Sequence, residues 1–145
     1  MKANLLDQHG PRTYAIVFDK GDEFASILMD FAQQQKLDAA SSTGIGAFSS
    51  ATLGYFDRDK MDYKKIVVNE QVEVLTLAGN VAIDKAKGKP KVHAHVVVGC
   101  ADGSTRGGHV LDAHVWQTLE IVLVESPQHL RHASDPETGL ALLDL

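Results

Sequence analysis

Two short apolar runs, residues 91–99 and 105–111, flank Ala101-Asp102-Gly103 and predict a β-hairpin. His93 and His95 occupy alternate positions of the first run, between apolar neighbours such as Ala94 and Val96. Side chains two residues apart on a strand lie on the same face of the sheet. The hairpin therefore places two imidazoles on one face, opposite the apolar residues.

The length of the hairpin loop decides whether His109, in the second run, joins this pair. A two-residue turn at Asp102-Gly103 would place His109 opposite Val96, on the other face. A three-residue loop over 101–103, with Gly103 in the left-handed conformation, would place His109 opposite His95. We predict the three-residue loop, because only that register brings the three imidazoles together.

Three converging neutral imidazoles favour a divalent transition metal, and zinc in particular. The predicted metal ligands are His93, His95 and His109. Three protein ligands leave a fourth position open, which in catalytic sites holds a reactive water molecule. The alternative is that these histidines are ordinary half-buried strand residues that bind no metal.

Two glutamates, Glu73 and Glu120, lie inside apolar strand-like segments. Alternation along an antiparallel strand favours a solvent-facing position for each of them. They could instead support a ligand histidine or act as a general base on bound water. The sequence does not decide between these roles.

The remaining histidines and the single cysteine, Cys100, are weaker candidates for a functional site. Cys100 lies at a strand end without the surroundings of an activated thiol. Asp112 is not expected to bind the metal either. The histidines not expected to be ligands are His9, His114, His129 and His132.

Apolar periodicity predicts an α+β fold, a twisted and mainly antiparallel sheet of about seven strands with one packed helix. The helix is expected to begin at an Asp22 cap and to bury its phenylalanine and leucine stripe. A tight bend is expected at Gly44-Ile45-Gly46, and a turn over 134–139 precedes an apolar end that docks on the body or a neighbouring subunit. The predicted strands are 13–18, 39–43, 47–56, 65–77, 81–84, 91–99, 105–111 and 115–125.

The length of 145 residues predicts a single domain over 1–145. The net charge of −5 disfavours nucleic-acid binding, which relies on cations that neutralise phosphates. The lysine-rich stretch 85–91 is expected to be a solvated loop, with phosphate contact as the alternative. The N-terminal residues lack the apolar stretch of an export signal or membrane span, so a cytoplasmic location without membrane contact is expected.

An ordered set of motifs resembles the PPC (plants and prokaryotes conserved) domain family, over about residues 13–143. The motifs are Ser42-Thr43-Gly44-Ile45-Gly46-Ala47, residues 72–80, His93-Ala94-His95, Gly107-Gly108-His109, Arg131, and Asp135-x-x-Thr138-Gly139. The resemblance implies a homotrimer of compact α+β domains. It also implies that His93, His95 and His109 match a prokaryotic pattern associated with bound metal.

Prokaryotic PPC proteins are commonly labelled DNA-binding, partly because plant relatives join the domain to AT-hooks. This chain carries only Gly10-Pro11-Arg12 where a hook would need Arg-Gly-Arg-Pro. The cupins also use His-x-His on a strand, but their following glutamate is absent here, where Gly99 and Cys100 stand.

Three functions follow as hypotheses. The first is a trimeric, zinc-binding PPC protein with a small-molecule-binding or regulatory role. The second is a metal-dependent hydrolase or lyase that uses water on the three-histidine site, and the third is direct DNA binding by the trimer.

Overall fold

Long antiparallel strands make up most of the protein, in a computed structural model that describes residues 1–7, 9–126 and 131–144. The one helix among these residues is α1 (Phe24–Gln34). The strands are β1 (Lys2–Asp7), β2 (Thr13–Asp19), β3 (Ala39–Asp57), β4 (Asp62–Val68), β5 (Val72–Asp84), β6 (Lys89–Gly99), β7 (Thr105–Glu125), β8 (Arg131–Ser134) and β9 (Ala141–Asp144).

Four of these strands close into a ring around the core. β3 pairs with β5 and β7, and β6 pairs with both β5 and β7. β2 and then β1 extend the sheet from β7, while β4 pairs with β3. All of these pairings are antiparallel. Among the described strands, the one parallel pairing joins β8 to β5. The α+β class and the mainly antiparallel sheet are confirmed.

The described part of the chain contains nine strands rather than about seven. β1, β8 and β9 were not predicted, and every residue of β1 is exposed, so no alternation of buried and exposed positions marks it. The turn that Gly139 closes with Asp135 leads into β9, which pairs with β8 on the body of the protein.

Several predicted strand boundaries are wrong. β3 and β7 are each one continuous strand where two were expected, because bulges let the ladders continue through the irregular positions. The predicted strand 65–77 is instead divided between β4 and β5, and the polar residues 69–71 form the connection. β5 then runs on through Gly79 to Asp84, so the separate strand 81–84 does not exist.

The helix begins one residue later than predicted. Glu23, not Asp22, is the N-cap, and its carboxylate accepts the backbone N–H groups of Ala25 and Ser26. The Asp22 carboxylate instead accepts the N–H of Asp19 at 3.0 Å. The apolar face of the helix is buried as expected, against β6 and β7, through Phe24, Leu28, Phe31 and Ala32. Within the described ranges, no helix is long and apolar enough to cross a membrane.

Gly44 and Gly46 allow β3 to lie very close to β7. The expected bend is a bulge within β3, where the pairing with β5 shifts register between the two glycines. Gly46 has a φ of 154°, and a Cβ there would lie 2.4 Å from the carbonyl oxygen of Thr118. A side chain at this position would therefore collide with backbone that cannot easily move.

Gly46→Ala should destabilise the protein by about 3 kcal/mol, because it combines a backbone clash with an unfavourable φ. The free energy of unfolding is measured by guanidinium denaturation. Gly10→Ala is the control, since a Cβ at Gly10 meets nothing within 4 Å. Equal midpoints for the two variants would contradict the close approach of β3 and β7.

Candidate metal centre

The hairpin between β6 and β7 has the predicted three-residue loop, and it places His95 directly opposite His109. The Cys100 N–H donates to the Ser104 carbonyl at 2.8 Å, and the Gly103 N–H donates to the Cys100 carbonyl at 2.9 Å. Gly103 takes the left-handed conformation, with a φ of 82°. The predicted register is confirmed.

This register brings His93, His95 and His109 together. One ring nitrogen from each lies within 4.8 Å of the other two, and the Nε2 atoms of His93 and His95 are 3.2 Å apart. Two nitrogens on a tetrahedral zinc, each at 2.0–2.1 Å, would be separated by about 3.3 Å. The spacing of this pair therefore suits a shared metal.

The donor chemistry also fits a metal ion. Burial, followed by the neighbouring His93, His95 and Lys91, lowers the pKa of His109 to about 4. Burial, followed by the effects of His95 and Lys91, also lowers the pKa of His93. These two imidazoles are neutral near pH 7, the form that binds metals. The Nδ1 atom of His109 is buried and has no hydrogen-bond partner in the described structure, and coordination would satisfy it.

Tyr63 supports the cluster from β4. Its ring stacks on His109, with the ring centroids 5.0 Å apart and the planes inclined by 21°. Burial raises the pKa of its hydroxyl group. No sequence pattern pointed to this residue, because β4 reaches the hairpin only through the tertiary arrangement of β3 and β7.

His132, which was not expected to be a metal ligand, lies beside the cluster. Its ring is 6.3 Å from that of His93, and its Nε2 lies 3.1 Å from Asn80 Oδ1. The side chain is 1% exposed, and its Nδ1 has no hydrogen-bond partner within the described ranges. Burial is the main cause that lowers its pKa, ahead of the charges of His93 and Lys91. The one sequence signal for a polar partner near the cluster was Asn80, a polar residue within an otherwise apolar strand.

A cavity of about 200 Å³ opens beside two of the histidines. His93 and His109 form one wall together with Tyr63, and Leu140 and Leu142 from the C-terminal segment form another. The cluster is therefore accessible to a small molecule, on a side that combines polar and apolar groups.

The two glutamates are exposed and lie away from the histidines. Glu73 pairs with Gly99, four residues from His95 along β6, or about 13 Å at the rise of a β-strand. Glu120 is farther from His109 along β7 and pairs with Val17 and Ile45. Both glutamates therefore face solvent, as alternation along the strand predicted. Within one chain, neither lies close enough to the histidines to support a ligand or to act as a general base.

The other weak candidates lie elsewhere. The His114 Nε2 lies 3.6 Å from the Asp112 carboxylate on a part-exposed section of β7. Of the predicted solvated loop over 85–91, residues 85–88 form an exposed turn between β5 and β6, whereas residues 89–91 belong to β6. His129 lies outside the described residues.

A family model, the Plants and Prokaryotes Conserved (PCC) domain, matches residues 7–127. A PPC protein from Pyrococcus horikoshii shares 32% identity, with a TM-score of 0.86 and 92% of each chain covered. A protein described as "Putative DNA-binding protein" from Ralstonia eutropha JMP134 shares 32% identity, with a TM-score of 0.84, over 91% of this chain and 90% of that one.

A metal-containing protein from Archaeoglobus fulgidus shares 31% identity, with a TM-score of 0.83, over 99% of this chain and 97% of that one. Among curated proteins, the Bifunctional protein GlmU of Synechococcus sp. (strain JA-3-3Ab) is 34% identical over 131 residues, 88% of this chain. The chain spans about a fifth of the length of the curated relatives it matches. With its family model covering most of the sequence and its fold shared with PPC proteins, this chain belongs to the Plants and Prokaryotes Conserved domain family.

Proposed function

We propose that this protein is a homotrimeric, zinc-binding PPC-domain protein with a small-molecule-binding or regulatory role, and that the small molecule binds at the metal. The observation that carries the proposal is the convergence of His93, His95 and His109, with their ligand nitrogens within 4.8 Å. The similarity to a metal-containing archaeal protein over nearly the whole chain supports it.

The hairpin is a suitable support for such a site. β6 is paired on both sides, by β5 and by β7, so the two histidines it carries have a fixed backbone. Three protein ligands leave one coordination position for water or a ligand group. The cavity beside His93 and His109 gives a small molecule access to that position.

A metal-dependent hydrolase or lyase is the second candidate, and the same cavity favours it. Bound zinc would supply a water molecule that ionises near neutral pH. No carboxylate lines this cavity among the described residues, so a carboxylate general base would have to come from another subunit or from the substrate. Turnover of ester, phosphate or amide substrates that is lost in His109→Ala would favour the enzyme over a binding role.

Direct DNA binding has less support from the residues themselves. Arg12, the nearest equivalent of a hook arginine, is held by Glu125, with its Nε 2.8 Å from Oε2. Its Nη1 also donates to the Gln35 carbonyl at 2.9 Å. An arginine held in this way cannot enter a minor groove without breaking these contacts, and the net charge of −5 opposes approach to phosphates.

Self-association is supported by an apolar patch on the outer face of β2, β7 and β3. Val17, Ile45 and Val122 are 39%, 60% and 45% exposed, and they border a cavity of about 420 Å³ that Glu120 also lines. Contiguous exposed apolar surface of this kind is typical of subunit interfaces. The family resemblance implies three copies.

Protein purified without a histidine tag should contain about one zinc per chain, measured by elemental mass spectrometry. His93→Ala should lose the metal, because even residues that only support a ligand weaken binding by about 10–100-fold when they are removed. His114→Ala removes a part-exposed histidine outside the cluster and serves as the control. Equal metal content in all three proteins would contradict the site.

Light scattering should give a mass of about three times the 15.7 kDa chain for the wild type. Val122→Glu should dissociate the assembly, because a carboxylate would be buried against apolar surface. Val67→Glu, at an exposed valine on β4, is the matched control. A monomeric wild type would overturn the trimer, and circular dichroism establishes that the variants fold.

A further inference from the structure

A second cavity joins the one beside the histidines. It has a volume of about 460 Å³, and its wall includes Asp84, Lys85, His132 and Ser134. Lys91 and Gly139 line both cavities, so the two are lobes of one cleft. We call this the histidine cleft: an inner lobe at His93 and His109, and an outer lobe at His132.

Lys91 lies where the two lobes meet. It is two residues before His93 on β6, so the two side chains lie on the same face of the strand. Lys91 is exposed and makes no ion pair with any residue of the described ranges. Its ammonium group can therefore reach a ligand that occupies either lobe.

The cleft is cationic although the protein as a whole carries a net charge of −5. Lys85 and Lys91 line it, and no carboxylate other than that of Asp84 does so in the described structure. Asp84 Oδ1 already accepts the N–H groups of Ala86 and Lys87, at 2.9 and 3.2 Å. A divalent metal on the histidines would add two further positive charges.

The outer lobe also presents a polar atom that the fold does not satisfy. His132 is 1% exposed, and its Nδ1 has no partner among the described residues, while its Nε2 is held by Asn80. Buried polar atoms in proteins are normally hydrogen-bonded. Because His132 lines the outer lobe, an unsatisfied polar group lies in its wall.

The inner lobe adds an apolar wall. Leu140 and Leu142 line it together with the ring of Tyr63. Small-molecule sites typically combine such apolar walls with a few placed polar groups. The wall suits the carbon skeleton of an organic ligand, and a bare inorganic ion would leave it unused.

We propose that the histidine cleft binds a small organic anion, whose carboxylate or phosphate group lies between the metal on the three histidines and the ammonium group of Lys91. The body of the anion lies along Tyr63, Leu140 and Leu142. This proposal rests on the proposed metal site, because the anionic group would lie between two positive charges, that of the metal and that of Lys91.

The test uses three probes that share one phenyl ring: benzoate, phenylphosphonate and neutral benzamide. Each is titrated calorimetrically, at fixed ionic strength, into zinc-loaded wild type, Lys91→Met and Lys89→Met. Lys89 lies two residues before Lys91 on β6, on the same face of the strand, but it lines neither lobe. The two variants therefore differ only in the position at which a positive charge is removed. Zinc content is measured on every sample, which also establishes that the site is folded.

Lys91→Met should bind the better anionic probe at least about tenfold more weakly than wild type, because a charge-assisted hydrogen bond is lost. Lys89→Met should bind like wild type, and benzamide should bind weakly to all three. The tighter of benzoate and phenylphosphonate identifies the preferred anionic group.

Equal weakening by the two lysine variants, equal binding of benzamide, or no anion binding by zinc-loaded protein would overturn the inference and leave the metal site intact. Failure of the wild type to take up zinc would overturn the proposed function, and this inference with it.

Discussion

The register between β6 and β7 is the constraint on which the candidate site depends. The apolar face of β6 packs Ala94, Val96 and Val98 into the core, where none is more than 3% exposed. A slip of one residue would bury the histidines and expose these side chains, at a cost of several apolar burials. β6 is also hydrogen-bonded to a neighbour on each side, so two ladders resist the slip. The core thus holds the imidazoles in position without contacting them.

The same arrangement explains the chemical state of the cluster. The hairpin carries His93 and His109 into a partly buried setting, and β4 covers His109 with the Tyr63 ring. Desolvation disfavours the imidazolium form, so these rings remain neutral and available as donors. A cationic cleft on an acidic protein then follows from the position of Lys91 on the same face of β6 as His93 and His95.

Membership of the family does not by itself establish what the protein binds. Within the described structure, the hook-like Arg12 is committed to Glu125 and Gln35, and the basic stretch 85–91 contributes Lys85 and Lys91 to the walls of a cleft instead of a continuous basic surface. The features that this chain presents most clearly are a histidine cluster, an adjoining cavity and an apolar face. Those features match a site for a small ligand better than a surface for a nucleic acid.

Local sequence determined the elements that lie close together in the chain. Alternation predicted the hairpin and the shared face of His93 and His95, and helical periodicity predicted α1 and its buried face. Two loop lengths were compatible with the hairpin, and the convergence of the three imidazoles favoured the one that pairs His95 with His109. The tertiary structure decided what depends on contacts between distant segments: that β3 and β7 run unbroken through their bulges, that β8 pairs with β5, and that Tyr63 and His132 lie beside the cluster. Strand pairing of this kind takes its free energy from a partner far along the chain, so no local pattern records it.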